Sequence, residues 1–189
     1  MASDDRLPAA AEDADDDEDE SADSGPRPPG GRFYMTPEGH AALKAELDHL
    51  WKSRRPEVVK VVEWAASLGD RSENADYKEG KRLLRQIDKR VRFLRKRLDN
   101  ALVVDPSQQP NRHKVFFGAT VTYVNSRDEE LRVKIVGVDE ADMNEGKISW
   151  LSPIARALLK AEVGDEVDVR TPRGVDTLEV LGIEYPEKG

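Results

Sequence analysis

Two ladders of apolar residues at alternating three- and four-residue spacing constrain this chain more than any other feature. The first reads Leu43, Leu47, Leu50, Arg54, Glu57, Val61, Trp64 and Leu68; the second reads Leu84, Ile87, Val91, Leu94, Leu98 and Ala101. Such a repeat lays one narrow stripe along a helix. Two stripes separated by a short break bury each other as an antiparallel coiled-coil hairpin. Gly69 supplies the break, and arms of about 30 residues would reach ~45 Å. The two polar rungs, Arg54 and Glu57, flank Pro56, whose ring clashes with the carbonyl of Lys52, so the first arm is expected to kink or unwind locally. Thr36 is expected to cap its start, with Pro37 at the first helical position.

Past Val104-Asp105-Pro106-Ser107-Gln108-Gln109-Pro110-Asn111 the apolar period changes to two. Strands are expected at Val115–Val124, Leu131–Val138, Lys147–Trp150, Glu166–Arg170 and Thr177–Tyr185, with a turn at Pro172-Arg173-Gly174. One short helix interrupts them, capped by Ser152 and opened by Pro153, with Ile154, Ala157 and Leu158 covering the sheet. The fold class is therefore α+β. An N-terminal antiparallel helical hairpin (33–103) is followed by a linker (104–113) and a small antiparallel-sheet domain (114–186).

Charge divides the chain further. Residues 1–24 hold 11 acids against Arg6, and the remaining 165 residues hold 27 acids and 29 bases, so the net charge of −8 belongs to the tail. Residues 1–32 are too polar to bury a core and are expected to be disordered, as a solubilising or interaction tail. The absence of cysteine excludes a disulfide framework, a thiolate metal site and a cysteine nucleophile. His40, His49 and His113 do not have the spacing of a histidine zinc centre. The N-terminus lacks the basic start and apolar stretch of a signal peptide, and no run of 18 apolar residues occurs, so the chain reads as soluble and cytoplasmic.

The break between the ladders carries Asp70-Arg71-Ser72-Glu73-Asn74-Ala75-Asp76-Tyr77. Asp70 and Glu73 have the spacing of a capping box, with Asp70 as the cap of the second helix. The same pair places two carboxylates at the end of a long probe, and Mg²⁺ often takes only one or two protein carboxylates beside waters and phosphate oxygens. The two readings are compatible. Tyr77 suits either packing across the tip or positioning. From Lys78 to Arg97 the second ladder carries ten bases against Glu79 and Asp88. Arg82, Lys89 and Lys96 take heptad position f, and Arg85 and Arg92 take position b, all facing away from the partner helix. So uncompensated a stripe points to an anionic partner, held through phosphates with little sequence specificity.

The run from Trp64-Ala65-Ala66-Ser67-Leu68-Gly69 through Tyr77 resembles the tip of the bacterial Gre transcript-cleavage factors, their GreB branch in particular. Leu50-Trp51, Arg55-Pro56-Glu57, Lys114-Val115-Phe116-Phe117-Gly118, the segment Ser152 to Leu159, Val163-Gly164-Asp165-Glu166-Val167 and Thr171-Pro172 carry the resemblance over residues 33–186. The acidic tail departs from it, and Leu151 stands where relatives often have a polar residue. The resemblance implies an FKBP-like C-terminal domain that binds RNA polymerase, with Ser152 and Pro153 at the rim of the secondary channel and the hairpin inside that channel. Asp70 and Glu73 would help hold a Mg²⁺ ion shared with the polymerase, and Ser72, Asn74 and Tyr77 would position the tip. Lys78, Lys81, Arg82, Arg85, Lys89, Arg92 and Lys96 would contact the 3′ end of the nascent RNA. The resemblance further implies a monomer with no nuclease activity alone, which stimulates the polymerase's own cleavage of backtracked transcripts. A channel-occupying inhibitor on the same scaffold is the alternative, against which the intact Asp70 and Glu73 argue.

Overall fold

The computed structural model describes residues 31–69, 73–172 and 174–188. The acidic tail up to residue 30, and Asp70 and Ser72 at the tip, lie outside the described residues. Ordered structure opens on a short strand, β1 (Phe33–Met35), which pairs in parallel with β2 (Ala101–Val103) where the hairpin ends. Thr36 then caps α1 (Pro37–His49) as expected, its Oγ1 accepting the Gly39 N–H at 3.0 Å.

Between α1 and α2 (Arg55–Ser67) the helix widens into one π turn, Leu50–Arg54, in which the Arg55 N–H reaches back five residues to the Leu50 carbonyl. The local unwinding expected of Pro56 takes this form. A wide turn absorbs one extra residue and shifts every later side chain around the axis by one position. Leu43, Leu47 and Leu50 stay on the seam, but beyond the turn Val58, Val62 and Ala65 face the second arm, α3 (Ala75–Asp99). The lower rungs read from the sequence are therefore displaced: Val61, Trp64 and Leu68 are 49%, 56% and 60% exposed. On α3 the ladder holds, with Ile87, Val91 and Leu94 buried and Leu84 and Leu98 packed beside them, while Ala101 has passed into β2. The arms approach closely at Gly80, where an added Cβ would meet Val62 Cγ2 at 2.5 Å.

The second half forms a five-stranded sheet of β3 (Thr120–Val124), β4 (Glu130–Val136), β5 (Lys147–Ser149), β6 (Glu166–Thr171) and β7 (Gly174–Glu184), in the order β5-β4-β3-β7-β6. Every pairing is antiparallel except β4 with β5. One face of the sheet packs under α4 (Pro153–Leu158), where Val115, Val121, Ile135, Ala155, Leu158 and Val180 are fully buried. Residues 104–113 are tied at both ends. The Val104 N–H donates to the Met35 carbonyl, and Arg112 Nη2 donates to the carbonyls of Tyr185 and Pro186 at 2.7 and 2.8 Å.

Hairpin and sheet meet in a cross-tied joint. Glu140 Oε2 accepts the N–H groups of Thr36 and Gly137, both at 3.0 Å, while its other oxygen takes the Thr36 hydroxyl. Tyr34 stacks edge-on to Trp150 at 5.1 Å and packs beside Phe117. Arg97, 3% exposed, pairs with Asp139 at 3.4 Å, and its guanidinium lies over the rings of Phe33 and Phe93. Counted from the sequence with the basic stripe, Arg97 belongs instead to this joint.

Candidate functional site: the tip and the basic arm

At the far end of the hairpin Gly69 takes a φ of +108°, a left-handed conformation that glycine adopts without steric cost, and so ends the first arm. The second arm is capped by Asn74, not by Asp70. Asn74 Oδ1 accepts the Tyr77 N–H at 3.1 Å, and its Nδ2 donates to the Ala65 carbonyl of α2 at 2.9 Å. One side chain thus caps α3 and ties it to the end of α2. Glu73 consequently precedes the cap and is not at its third position, so the capping-box reading of Asp70 with Glu73 is corrected. Glu73 is exposed and makes no hydrogen bond or ion pair with the described residues. Tyr77 is half-buried. Asp70 and Ser72 lie outside the described residues, so their geometry relative to Glu73 is not part of the site as built.

The seven basic residues singled out on α3 fall within about 100° of its circumference, opposite Ile87, Val91 and Leu94. Two acids of α3 beside them are engaged. Glu79 takes both Arg82 Nε and Nη2, and Asp88 takes Arg55 across the hairpin at 2.8 Å. The Arg82 bonds hold the Glu79 carboxyl below its usual range. Arg90 is likewise paired across the hairpin, with Glu46 at 2.7 Å. Lys78, Lys81, Arg85 and Arg92 have no ion-pair partner among the described residues. Near the base Arg55 and Arg95 flank the Trp51 ring, at 5.3 and 4.6 Å from its centroid. Cation–π contacts of this kind fix the guanidinium planes without neutralising them.

Ser152 and Pro153 sit on the sheet domain. Ser152 Oγ accepts the Ala155 N–H at 3.2 Å as the cap of α4, and Pro153 is exposed. Ala155, fully buried, is the core residue that the helical pattern there did not single out. The exposed run Val61, Trp64 and Leu68 beside the tip was also missed as surface. Its signal is Pro56, from which a kink or local unwinding is expected, but not the change of phase that the wide turn brings.

Among the described residues no three histidines or carboxylates converge to hold a metal ion, and no helix is long and apolar enough to cross a membrane. The chain matches two families: residues 33–103 match one described as "Transcription elongation factor, N-terminal", and residues 109–185 one described as "Transcription elongation factor, GreA/GreB, C-term". It is 54% identical over 152 residues to transcription elongation factor GreB of Neisseria meningitidis, covering 80% of this chain and 93% of that one. Against the protein of the same name from Pseudomonas putida it is 56% identical over 153 residues, with the same coverage of 80% and 93%. Among solved structures, GreA factor homolog 1 (Gfh1) of Thermus thermophilus matches at 24% identity over 81% of this chain and 99% of that one, with a TM-score of 0.38. On the two family matches and the identity to these relatives, the chain belongs to the GreA/GreB family of transcription elongation factors.

Proposed function

We propose that this elongation factor enters the secondary channel of RNA polymerase tip first and stimulates the polymerase's own cleavage of backtracked RNA, restarting arrested complexes. The observation that carries the reading is Glu73. With Asn74 doing the capping, the Glu73 carboxylate stands exposed and uncommitted at the end of the hairpin. A capping carboxylate would be turned toward backbone N–H groups; this one is open to a partner.

Asp70 and Glu73 would supply at most two carboxylates to a Mg²⁺ ion, the usual protein share when waters, phosphate and a second macromolecule complete the shell. When bound, the ion lowers the pKa of a coordinated water and offsets charge on the scissile phosphate. Asn74 fixes where Glu73 projects by locking α3 to α2. Ser72 and Tyr77 would position the tip around it. Lys78, Lys81, Arg82, Arg85, Lys89, Arg92 and Lys96 would hold the extruded RNA through its phosphates, its 3′ end directed to the tip. Ser152 and Pro153 would meet the channel rim, and Val61, Trp64 and Leu68 offer apolar surface to the channel wall. The chain acts as a monomer in the cytoplasm and cleaves no RNA alone, a reading supported by the lack of three converging histidines or carboxylates among the described residues.

The test uses stalled, backtracked elongation complexes with Mg²⁺. Cleavage should appear with the wild-type chain, fall away with Asp70→Ala, and be absent without polymerase. Inhibition without cleavage would instead favour a channel-occupying inhibitor.

A further inference from the structure

On the basic face of α3, Lys78, Lys81, Arg85 and Arg92 have no ion-pair partner among the described residues, while the chain itself carries 11 acids within residues 1–24. The fold decides where those acids start from. Phe33 pairs with Ala101, and its N–H donates to the Asn100 carbonyl at 3.0 Å, so the chain enters the fold beside the C-terminal end of α3. From there Arg85 lies about 15 residues back along the helix, or ~23 Å, and Lys78 ~33 Å. Asp23 is ten residues before Phe33, a reach of up to ~33 Å, and the acids before it reach further. The whole basic face is within range.

A tether this short keeps the acidic segment at an effective concentration on the order of millimolar beside the face. Its like charges and scarce apolar residues give it no competing core to join. We propose that the acidic N-terminal segment of this chain, residues 4–23, occupies the basic outer face of α3 and competes there with other polyanions. Such contacts are between exposed charges, so they weaken as the screening length falls from ~10 Å at 0.1 M salt to ~3 Å at 1 M. The segment then acts as a built-in competitor. Weak or short polyanions are turned away, while a strand of phosphates held in place by a larger complex displaces it. Competition with RNA rests on the function proposed above, whereas occupancy of the face does not.

The chain contains no cysteine, so Ser21→Cys gives a single attachment point for a nitroxide label on the full-length protein. Amide signals of α3 around Lys81, Arg85 and Arg92 should broaden at low salt, and the broadening should vanish at about 0.5 M salt. It should vanish also in the variant Lys81→Gln/Arg85→Gln/Arg92→Gln. Broadening confined to β1 and β2, or unmoved by salt, would overturn the proposal, as would broadening that arises only between separate chains in a mixed sample. A second measurement reads the competition. Neutralising Asp15, Asp16, Asp17, Glu18, Asp19 and Glu20 to their amides should tighten binding of a labelled single-stranded RNA by about threefold to tenfold at low salt, converging with wild type at high salt. Equal affinity at low salt would overturn the competition, and the label experiment judges occupancy whether or not RNA uses the face.

Discussion

At the base of the hairpin, Arg97 is buried between two phenyl rings with Asp139 beside it, and Glu140 gathers two N–H groups and a hydroxyl. At the tip, Glu73 is exposed and uncommitted, and Trp64 and Leu68 lie open. Both ends belong to the same hairpin, yet they divide the work. The base carries the packing and desolvated polar contacts that fix the arm to the sheet domain. The tip carries groups whose contacts are supplied by another molecule. Substitutions at the two ends should therefore separate stability from activity.

The largest effect is expected at the base. Arg97→Ala strips the cation from Phe33 and Phe93 and leaves Asp139, nearly buried, without it. Removing one partner of a buried pair costs about 3–5 kcal/mol, to be read in urea unfolding. A loss below about 1 kcal/mol would mean that the joint is not where the arm is secured. Glu73→Ala should do the converse. Exposed and without a described partner, it should leave unfolding within about 0.5 kcal/mol of wild type while lowering transcript cleavage at least about tenfold, or ~1.4 kcal/mol of barrier. Full cleavage by this variant would remove the tip from the chemistry. Comparable losses of stability in both variants would erase the contrast altogether.

Midway between the ends the prediction is intermediate. Gly80→Ala gains about 1 kcal/mol of helix propensity. Its Cβ, however, would meet Val62 Cγ2 at 2.5 Å, and a β-branched neighbour inside a helix has little rotamer freedom to withdraw. Overpacking of about 1–3 kcal/mol should win, so the urea midpoint falls. Adding Val62→Ala relieves the clash and should return part of the loss. If Gly80→Ala proves stabilising, the arms are looser at mid-length than their contact suggests.

What was legible in the sequence was local. Thr36 with Pro37 and Ser152 with Pro153 announce helix starts because a cap needs only an N–H three residues away. The α3 ladder is legible because nothing interrupts it. Reading failed where the outcome hung on a choice between near-equal local solutions. Pro56 can be accommodated by a kink or by one extra residue in the turn, and only the second moves Val58, Val62 and Ala65 onto the seam in place of Glu57, Val61 and Trp64. At the tip Asp70 and Asn74 are both good caps by residue type; the spacing of Glu73 favours Asp70, whereas the bond from Asn74 to the Ala65 carbonyl, a tertiary contact, goes with the choice of Asn74. Arg97 was beyond local reading. Its place in the joint depends on Asp139 and Phe33, dozens of residues away on either side.

The smallest effect belongs to the outer face of the distal arm, where Arg82 grips Glu79 one turn back. These bonds lower the Glu79 pKa from its ordinary 4.5. A carboxyl depressed in the folded state contributes stability in full above the unfolded value, and that contribution is lost as pH falls through the lower folded value. Glu79→Gln should therefore unfold slightly more easily than wild type at pH 7, and the difference should close as pH falls below the ordinary 4.5 and through the lower folded value, where the wild-type carboxylate takes up a proton. Both groups are exposed, so the stability change stays far below that of Arg97→Ala. The informative readout is different. Release of Arg82 adds a free cation to the basic face, and Glu79→Gln should bind single-stranded RNA more tightly than wild type at low salt, with the gain vanishing at high salt. A stability gap that does not narrow as pH falls below the ordinary 4.5 would trace the effect to helix propensity instead of the ion pair. An affinity that fails to rise would mean that Arg82 is directed at RNA even while paired, so that charge neutralised on this face need not be charge withdrawn from it.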